Sequence, residues 1–307
     1  MAGTEGIKDH ITSVRETKKI TSAMYLIAST KLRRARGELN ATRPYFDALR
    51  SEIVRIFRTD EHIESRYFVG EDGALLKGGV CGLLVITADK GLAGAYNVNV
   101  LRRAEEELRA HPGARLFVVG EYGRRYFEQH RIPTEKTFLY TAQNPTMERA
   151  REICTQLLDL YDGEELDELI VVYTDLKNSL SSPALTSRLL PFERAPFERA
   201  AAAGGQKTYR SDFEYYPSVA AVLEGSLRSY LVGFIYSALV DSFCSEQNAR
   251  VTAMDAANRN ADELLASLTL QLNRERQAAI TQEITEVSAG AKALARSHKH
   301  GKEASGT

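Results

Sequence analysis

The chain has no tryptophan, only 8 prolines in 307 residues and three cysteines, and its charge is nearly balanced, with 40 Lys and Arg against 41 Asp and Glu. Each shortage excludes something. Cys81, Cys154 and Cys244 are odd in number, far apart and in no CxxC pair. That argues for a reducing compartment and against a disulfide framework or a zinc site, and all three are expected to be buried small residues. A net charge of −1 makes no global demand for nucleic acid. No segment approaches the ~18 consecutive apolar residues of a membrane span, and Met1-Ala-Gly-Thr-Glu-Gly6 has neither an apolar run nor a cleavage site. The expectation is neither a signal peptide nor a span, with any membrane association indirect.

Catalytic patterns are equally scarce. The six histidines (His10, His62, His111, His130, His298, His300) show no HExxH spacing, and no serine or cysteine sits in a G-x-S-x-G elbow. Asp89, Asp175 and Asp241 lie far apart in sequence. Nothing nominates a nucleophile or an acid/base pair, so no enzyme activity of its own, no cofactor and no metal are expected.

What the chain does have is helical periodicity at both ends. From Pro217 to the Gly301 region there is no proline, only Gly225, Gly233 and Gly290 interrupt, and apolar residues recur at helical spacing. One helix over roughly 211–297 would be on the order of 110 Å long, too long to stand without a partner along its length. At the other end, residues 1–58 carry a seam stepping alternately by four and three: Ile7, Ile11, Val14, Lys18, Thr21, Tyr25, Ala28, Leu32, Ala35, Leu39, Thr42, Phe46, Leu49, Ile53, Ile56. This is a coiled-coil seam, weakened at Lys18 and Thr21 and flanked there by a second apolar row, Ile20, Met24 and Ile27. Pro44 is expected either to kink this helix near Arg43 or to be absorbed by packing. Between Arg15 and Arg36 seven basic residues stand against one acid, Glu16. This local positive belt reads as a solvated helix face, a docking surface for an acidic partner, or a nucleic-acid arm, although no groove-reading motif accompanies it.

The middle, residues 78–193, changes period. Gly82–Thr87, Arg115–Gly120 and Glu168–Thr174 are short branched-aliphatic runs typical of strands buried on both faces. Helical candidates lie between them at Asn97–Ala110, Tyr122–His130 and Thr146–Tyr161. Strands alternating with helices predict a Rossmann-like α/β layer with a mostly parallel sheet, with Thr137–Tyr140 and Ser187–Phe192 as candidate edge strands. The predicted fold class is therefore α/β with a long antiparallel coiled coil, the α/β domain inserted between two paired terminal helices. The loop Thr87–Asn97 runs from a strand end through Gly91 and Gly94 into a helix, but it is neither GxGxxG nor GxxxxGK[ST] and reads as a structural turn, with Asp89 and Lys90 as turn and surface residues. Residues 60–77 and 195–207 read as mobile connectors.

Within the final helix, Pro217 followed by Ser218 makes a start signal. Leu227, Leu231, Phe234, Ile235, Ala238, Leu239 and Phe243 are rich enough to be buried on more than one side. Beyond Ser245 the seam narrows to Met254, Ala257, Ala261, Leu264, Leu268 and Leu272, then Ile280, Ile284, Val287, Ala291 and Leu294. A stutter through Arg276 separates the two runs, and Gln277 and Thr281 stack beside it as a polar, hydrogen-bonding patch, solvated or docked.

At these residues the chain resembles the gamma subunit of F-type ATP synthases. The resemblance rests on Ile7–Met24 with Ala28-Ser-Thr-Lys-Leu-Arg-Arg34, on Ser245-Glu-Gln-Asn-Ala-Arg250 with Ala253, Met254, Asn260 and Ala261, and on Arg276–Glu286. The loop Ile86–Gly94, Val172-Tyr-Thr174 and Leu189-Leu-Pro191 match the family's middle domain. The resemblance implies a noncatalytic rotor shaft that transmits torque from a proton- or sodium-driven ring in the membrane. Its paired helices would stand inside a ring of alpha and beta subunits, and its α/β domain would dock on epsilon and on the membrane c-ring. Arg276, Gln277 and Thr281 would contact beta-subunit loops, Met24 would lie near an acidic beta lever, and Lys18, Lys31, Arg33, Arg34 and Arg36 could face such levers. It further implies a peripheral membrane protein on the cytoplasmic side of a bacterial inner membrane, bound through the complex alone, without nucleic acid. Departures from the family pattern are Glu286-Val-Ser288, Gln247-Asn248 and a basic tail, with residues 298–307 expected to be flexible. No cysteine-pair insertion is present, so no thiol switch is expected. Two rivals are a free-standing coiled-coil interaction protein whose basic arm binds an acidic partner or nucleic acid, and a nucleotide-binding enzyme using the Gly91 loop.

Overall fold

A computed structural model of the chain describes residues 2–59, 65–69, 79–176, 183–193 and 215–303. They form two compact units, one of Met1–Leu26 with Met254–Thr307 and one of Ile27–Ala253. Helix α1 (Ala2–Thr59) and the final helix α5 (Val219–Glu303) each pass through both. Every position of the predicted α1 seam, from Ile7 to Ile56, is buried or half-buried. Pro44 stands inside the helix. It is exposed, as is Asn40, whose carbonyl loses its helical partner to the proline ring, so water can satisfy that carbonyl and the helix absorbs the residue.

In the larger unit the sheet comprises β1 (Cys81–Ile86), β2 (Arg115–Val119), β3 (Glu168–Thr174) and β4 (Ala184–Leu190), in the order β2-β1-β3-β4. β1 is parallel to both neighbours and β4 closes the edge antiparallel to β3. The helices between the strands are α2 (Tyr96–Ala110), α3 (Glu121–Gln129) and α4 (Met147–Asp162), the last capped by Thr146, whose side chain accepts the Arg149 amide. One face of the sheet, with Leu83, Val85, Leu116, Val118, Ile170 and Val172, packs on α2 and on Phe127. The other, with Leu84, Ile86, Phe117, Val119 and Val171, joins Ile153 and Leu157 of α4, Leu231, Ile235 and Leu239 of α5, and Ile53 and Ile56 of α1 in one cluster. Strands buried on both faces explain the unbroken aliphatic runs. All three cysteines are free and buried, and burial pushes the thiols of Cys81, Cys154 and Cys244 up to about 12.

Three expectations need adjustment. Thr137–Tyr140 is not a strand: Phe138 alone is inserted, edge-on to Phe117 at 5.4 Å, while Leu139 is exposed, and the neighbouring backbone is used singly, Gly120 N–H donating to the Tyr140 carbonyl at 3.0 Å. A two-residue apolar run anchors a loop by one ring and does not build a ladder. The 195–207 connector and most of 60–77 lie outside the described residues, but 65–69 is anchored, with Tyr67 and Phe68 buried and the Tyr67 ring stacked on Tyr161. The final helix, capped by Ser218, whose Oγ accepts the Ala221 amide at 3.2 Å, continues to Glu303, through the start of the segment expected to be a tail. That helix is also long and apolar enough, by length and composition, to cross a membrane. Its Leu223, Leu227, Leu231 and Ile235 are instead buried in the core of the larger unit.

The two helices approach closely at Gly233, where a Cβ would run into the Phe46 ring. Gly233→Ala should destabilise the chain by about 2 kcal/mol in urea unfolding despite alanine's better helix propensity, and Phe46→Leu should relieve more than half of that cost. Nearby, burial and Asp175 push the Asp241 carboxyl up to about 6 against the pull of Arg43. The folded state therefore holds this proton more tightly than the unfolded chain, whose carboxyl titrates near ~4, and stability is lost as pH rises from about 4 to 6. The stability difference between Asp241→Asn and wild type should accordingly be near zero at pH 4 and reach about 3 kcal/mol in favour of the variant above pH 7, as read by thermal unfolding across that range.

Candidate partner-binding surface

The Thr87–Asn97 loop is filled from within. Thr87 Oγ1 donates to the Val119 carbonyl at 2.9 Å and accepts the Gly123 amide at 3.1 Å, and Asn97 Oδ1 accepts the Ala88 amide at 3.0 Å. Asp89, expected to be only a turn residue, is a hub: its carboxylate accepts the amides of Glu121, Ala142 and Gln143 at 3.1–3.2 Å and the Thr141 hydroxyl. The amide opening α3 therefore already has an anionic partner, and a phosphate brought to it would meet a fixed carboxylate. This geometry speaks against the nucleotide reading of the loop.

The same loop is fastened to α5. Arg250 Nη2 donates to the Gly91 carbonyl at 3.0 Å while Nη1 meets Glu246 Oε1 at 2.6 Å, the side chains being 11% and 3% exposed. Burial pushes the Glu246 carboxyl up, and the Arg250 guanidinium opposes it. Thr174 at the end of β3 donates its amide to Ser242 Oγ at 3.2 Å. Ser245, Glu246 and Gln247 are buried, so the polar motif in mid-helix is an internal junction with the α/β layer. Sequence reading assigned it no role, although Glu and Arg at i,i+4 inside an apolar stretch was the available signal.

In the smaller unit α1 and α5 run antiparallel. Lys18 is ion-paired with Asp262, and the hydroxyls of Thr21 and Ser22 lie 2.5 and 3.2 Å from Asn258 Oδ1. The two weak seam positions are therefore polar cross-links. With side chains 34% and 59% exposed, the Lys18–Asp262 pair adds about 1 kcal/mol at most, and its effect is to fix register. Carried back from Lys18, this register sets Ala2, the first described residue of α1, opposite Ala278. Every residue from Asn273 to Lys292 is exposed, and Ile280, Ile284 and Val287 are 45%, 63% and 74% exposed. Covering each would contribute roughly 1–2 kcal/mol. Among the described residues the Arg276 guanidinium and the Gln277 amide have no hydrogen-bond partner, and Thr281 turns its hydroxyl back to the Gln277 carbonyl at 2.9 Å.

The remaining predicted contact residues divide between the units. Met24 is half-buried in the smaller unit, where Ile20 and Leu26 are 62% and 64% exposed beside Arg15 and Lys19. In the larger unit Arg33, Arg34 and Arg36 are exposed and Lys31 half-buried, Arg34 being paired with Glu38 at 2.9 Å. The belt is thus partly spent internally, at Lys18 and Arg34.

Antiparallel terminal helices with an α/β layer inserted between them define an α/β protein built on a long helical pair. The chain matches the family model described as ATP synthase over residues 3–294. It is 42% identical over 294 residues to the ATP synthase gamma chain of Caldanaerobacter subterraneus subsp. tengcongensis, covering 94% of this chain and 99% of that one. It is 40% identical over 290 residues to that of Ruminiclostridium cellulolyticum, with 94% and 97% covered. In fold it is similar to a chain of the Euglena gracilis mitochondrial ATP synthase rotor, with a TM-score of 0.63 at 14% identity, covering 91% of this chain and 99% of that one. The chain belongs to the gamma family of ATP synthase, the noncatalytic stalk subunits of the F-type enzyme.

Arg250→Ala should cost about 3–5 kcal/mol in urea unfolding at pH 7, because it leaves the Glu246 carboxylate buried and unpaired, and Glu246→Gln in the same chain should recover most of the loss.

Proposed function

We propose that this chain is the central shaft of a proton- or sodium-translocating F-type ATP synthase, turned by the c-ring and enclosed by the alpha and beta subunits, with epsilon on its α/β layer. The observation that carries this reading is the bare stretch Asn273–Lys292, a helix whose apolar stripe Ile280, Ile284, Val287 has no counterpart among the described residues. Such a stripe calls for a sleeve of other subunits. The unpartnered Arg276 and Gln277 supply donors at its base for acceptor groups on beta. Lys31, Arg33 and Arg36 extend the belt toward acidic beta segments, with Met24 beside Ile20 and Leu26 as an apolar contact. Torque becomes nucleotide affinity because only contacts that differ among the three beta states can bias them. The subunit meets the membrane through the complex, on the cytoplasmic side in a bacterium, and requires neither nucleic acid nor a nucleotide of its own.

Alanine at both Arg276 and Gln277 should lower ATP synthesis by reconstituted complex about tenfold with assembly intact, the loss of about one charge-assisted hydrogen bond. Unchanged synthesis by a fully assembled complex would remove these residues from the contact.

A further inference from the structure

We propose that Cys81, His111 and Glu168 form a binding site for a zinc-class divalent cation at the edge of the sheet where β1 and β3 begin. Cys81 opens β1, Glu168 opens β3, and the parallel register sets the two side by side. His111 follows the last residue of α2 and is brought back over the same edge. One donor atom from each residue, the thiol sulfur, a ring nitrogen and a carboxylate oxygen, lies within 4.8 Å of the other two. None of the three takes part in the junction or in the exposed helical surface described above.

The ring of His111 is already oriented as a ligand's would be. Its Nδ1 lies 3.1 Å from the Glu107 carbonyl, the contact that fixes Nδ1–H as donor and leaves Nε2 with its lone pair. Nε2 faces Glu168 Oε2 at 3.7 Å. That is too long for a hydrogen bond but close to the roughly 3.4 Å edge between nitrogen and oxygen ligands around tetrahedral zinc. The other Glu168 oxygen is 3.9 Å from the Arg188 guanidinium, so Oε2 is the one left for the ion. Glu107 spends Oε1 on Arg103 at 2.9 Å and belongs to the support of the ring rather than to the donor set.

Charge and softness point to the same cation. A thiolate and a carboxylate neutralise a divalent ion, and the thiolate with imidazole selects zinc over magnesium or calcium. Burial, with Glu168 and Glu107, holds the free thiol protonated, so binding must displace that proton, which leaves to solvent past the partly exposed imidazole. The sulfur–metal bond replaces the S–H bond with no change of oxidation state, and solvent completes the fourth position. No two of the three residues stand at ligand spacing in sequence, and sequence reading therefore expected no metal.

The full-length chain, stripped with chelator, would be titrated with zinc alone by calorimetry and with cobalt by absorption. The expected result is one equivalent bound per chain with release of one proton, a sulfur-to-cobalt charge-transfer band, and a zinc-dependent rise in melting temperature. Cys81→Ser and His111→Gln should each weaken zinc at least about tenfold and abolish the band or shift it, while Cys154→Ser leaves both unchanged. Glu168→Gln, which keeps its shape, gives the same answer should either of the other variants fail to fold by circular dichroism. No zinc bound by wild type above background, or full binding and stabilisation retained by folded Cys81→Ser, would overturn the proposal.

Discussion

The larger unit depends on one apolar cluster that belongs to three structures at once. Leu231, Ile235 and Leu239 of α5 meet Ile53 and Ile56 of α1 on one side and the sheet face of Leu84, Phe117 and Val171, with α4, on the other. Remove the sheet and the helix pair has a bare flank; remove the helices and the sheet loses a layer it cannot replace. Because burial of apolar area is the dominant favourable term, the α/β layer and this stretch of helix pair behave as one cooperative body rather than as beads on a shaft. The polar junction at Glu246, Arg250 and Gly91 then selects one docking arrangement among those the apolar contact would allow.

Much of this was legible in the sequence, for identifiable reasons. A seam kept in step from Ile7 to Ile56 can be satisfied only by another helix, and all of it is covered. Leu-Leu-Val-Ile and Leu-Ile-Val-Val runs between glycines and polar turns leave few alternatives to doubly buried strands. Where local pattern failed, tertiary geometry had the deciding role. Lys18 and Thr21 looked like defects because their partners, Asp262 and Asn258, are the better part of the chain away. Asp89 looked like a turn residue because its acceptors' partners come from two later segments. Thr137–Tyr140 has strand composition but only one side chain with anywhere to go.

The exposed surface divides in the same way. The stutter at Arg276 and the stripe from Ile280 onward could be read directly, since seam spacing is visible by counting residues, but where the partner helix ends opposite them came only from the Lys18–Asp262 register. The distribution of free charge could not. Lys18 and Arg34 entered the basic belt on composition and are each taken by an acid of the same chain, leaving Arg15, Lys19, Arg33 and Arg36 exposed and Lys31 half-buried.

The bare end of α5 also bears on the life of the chain before it meets its partners. A helix without tertiary support is marginal in water, and Ile280, Ile284 and Val287 find no cover among the described residues to offset its ordering. Alone, the stretch from Asn273 to Lys292 is therefore where α5 frays first.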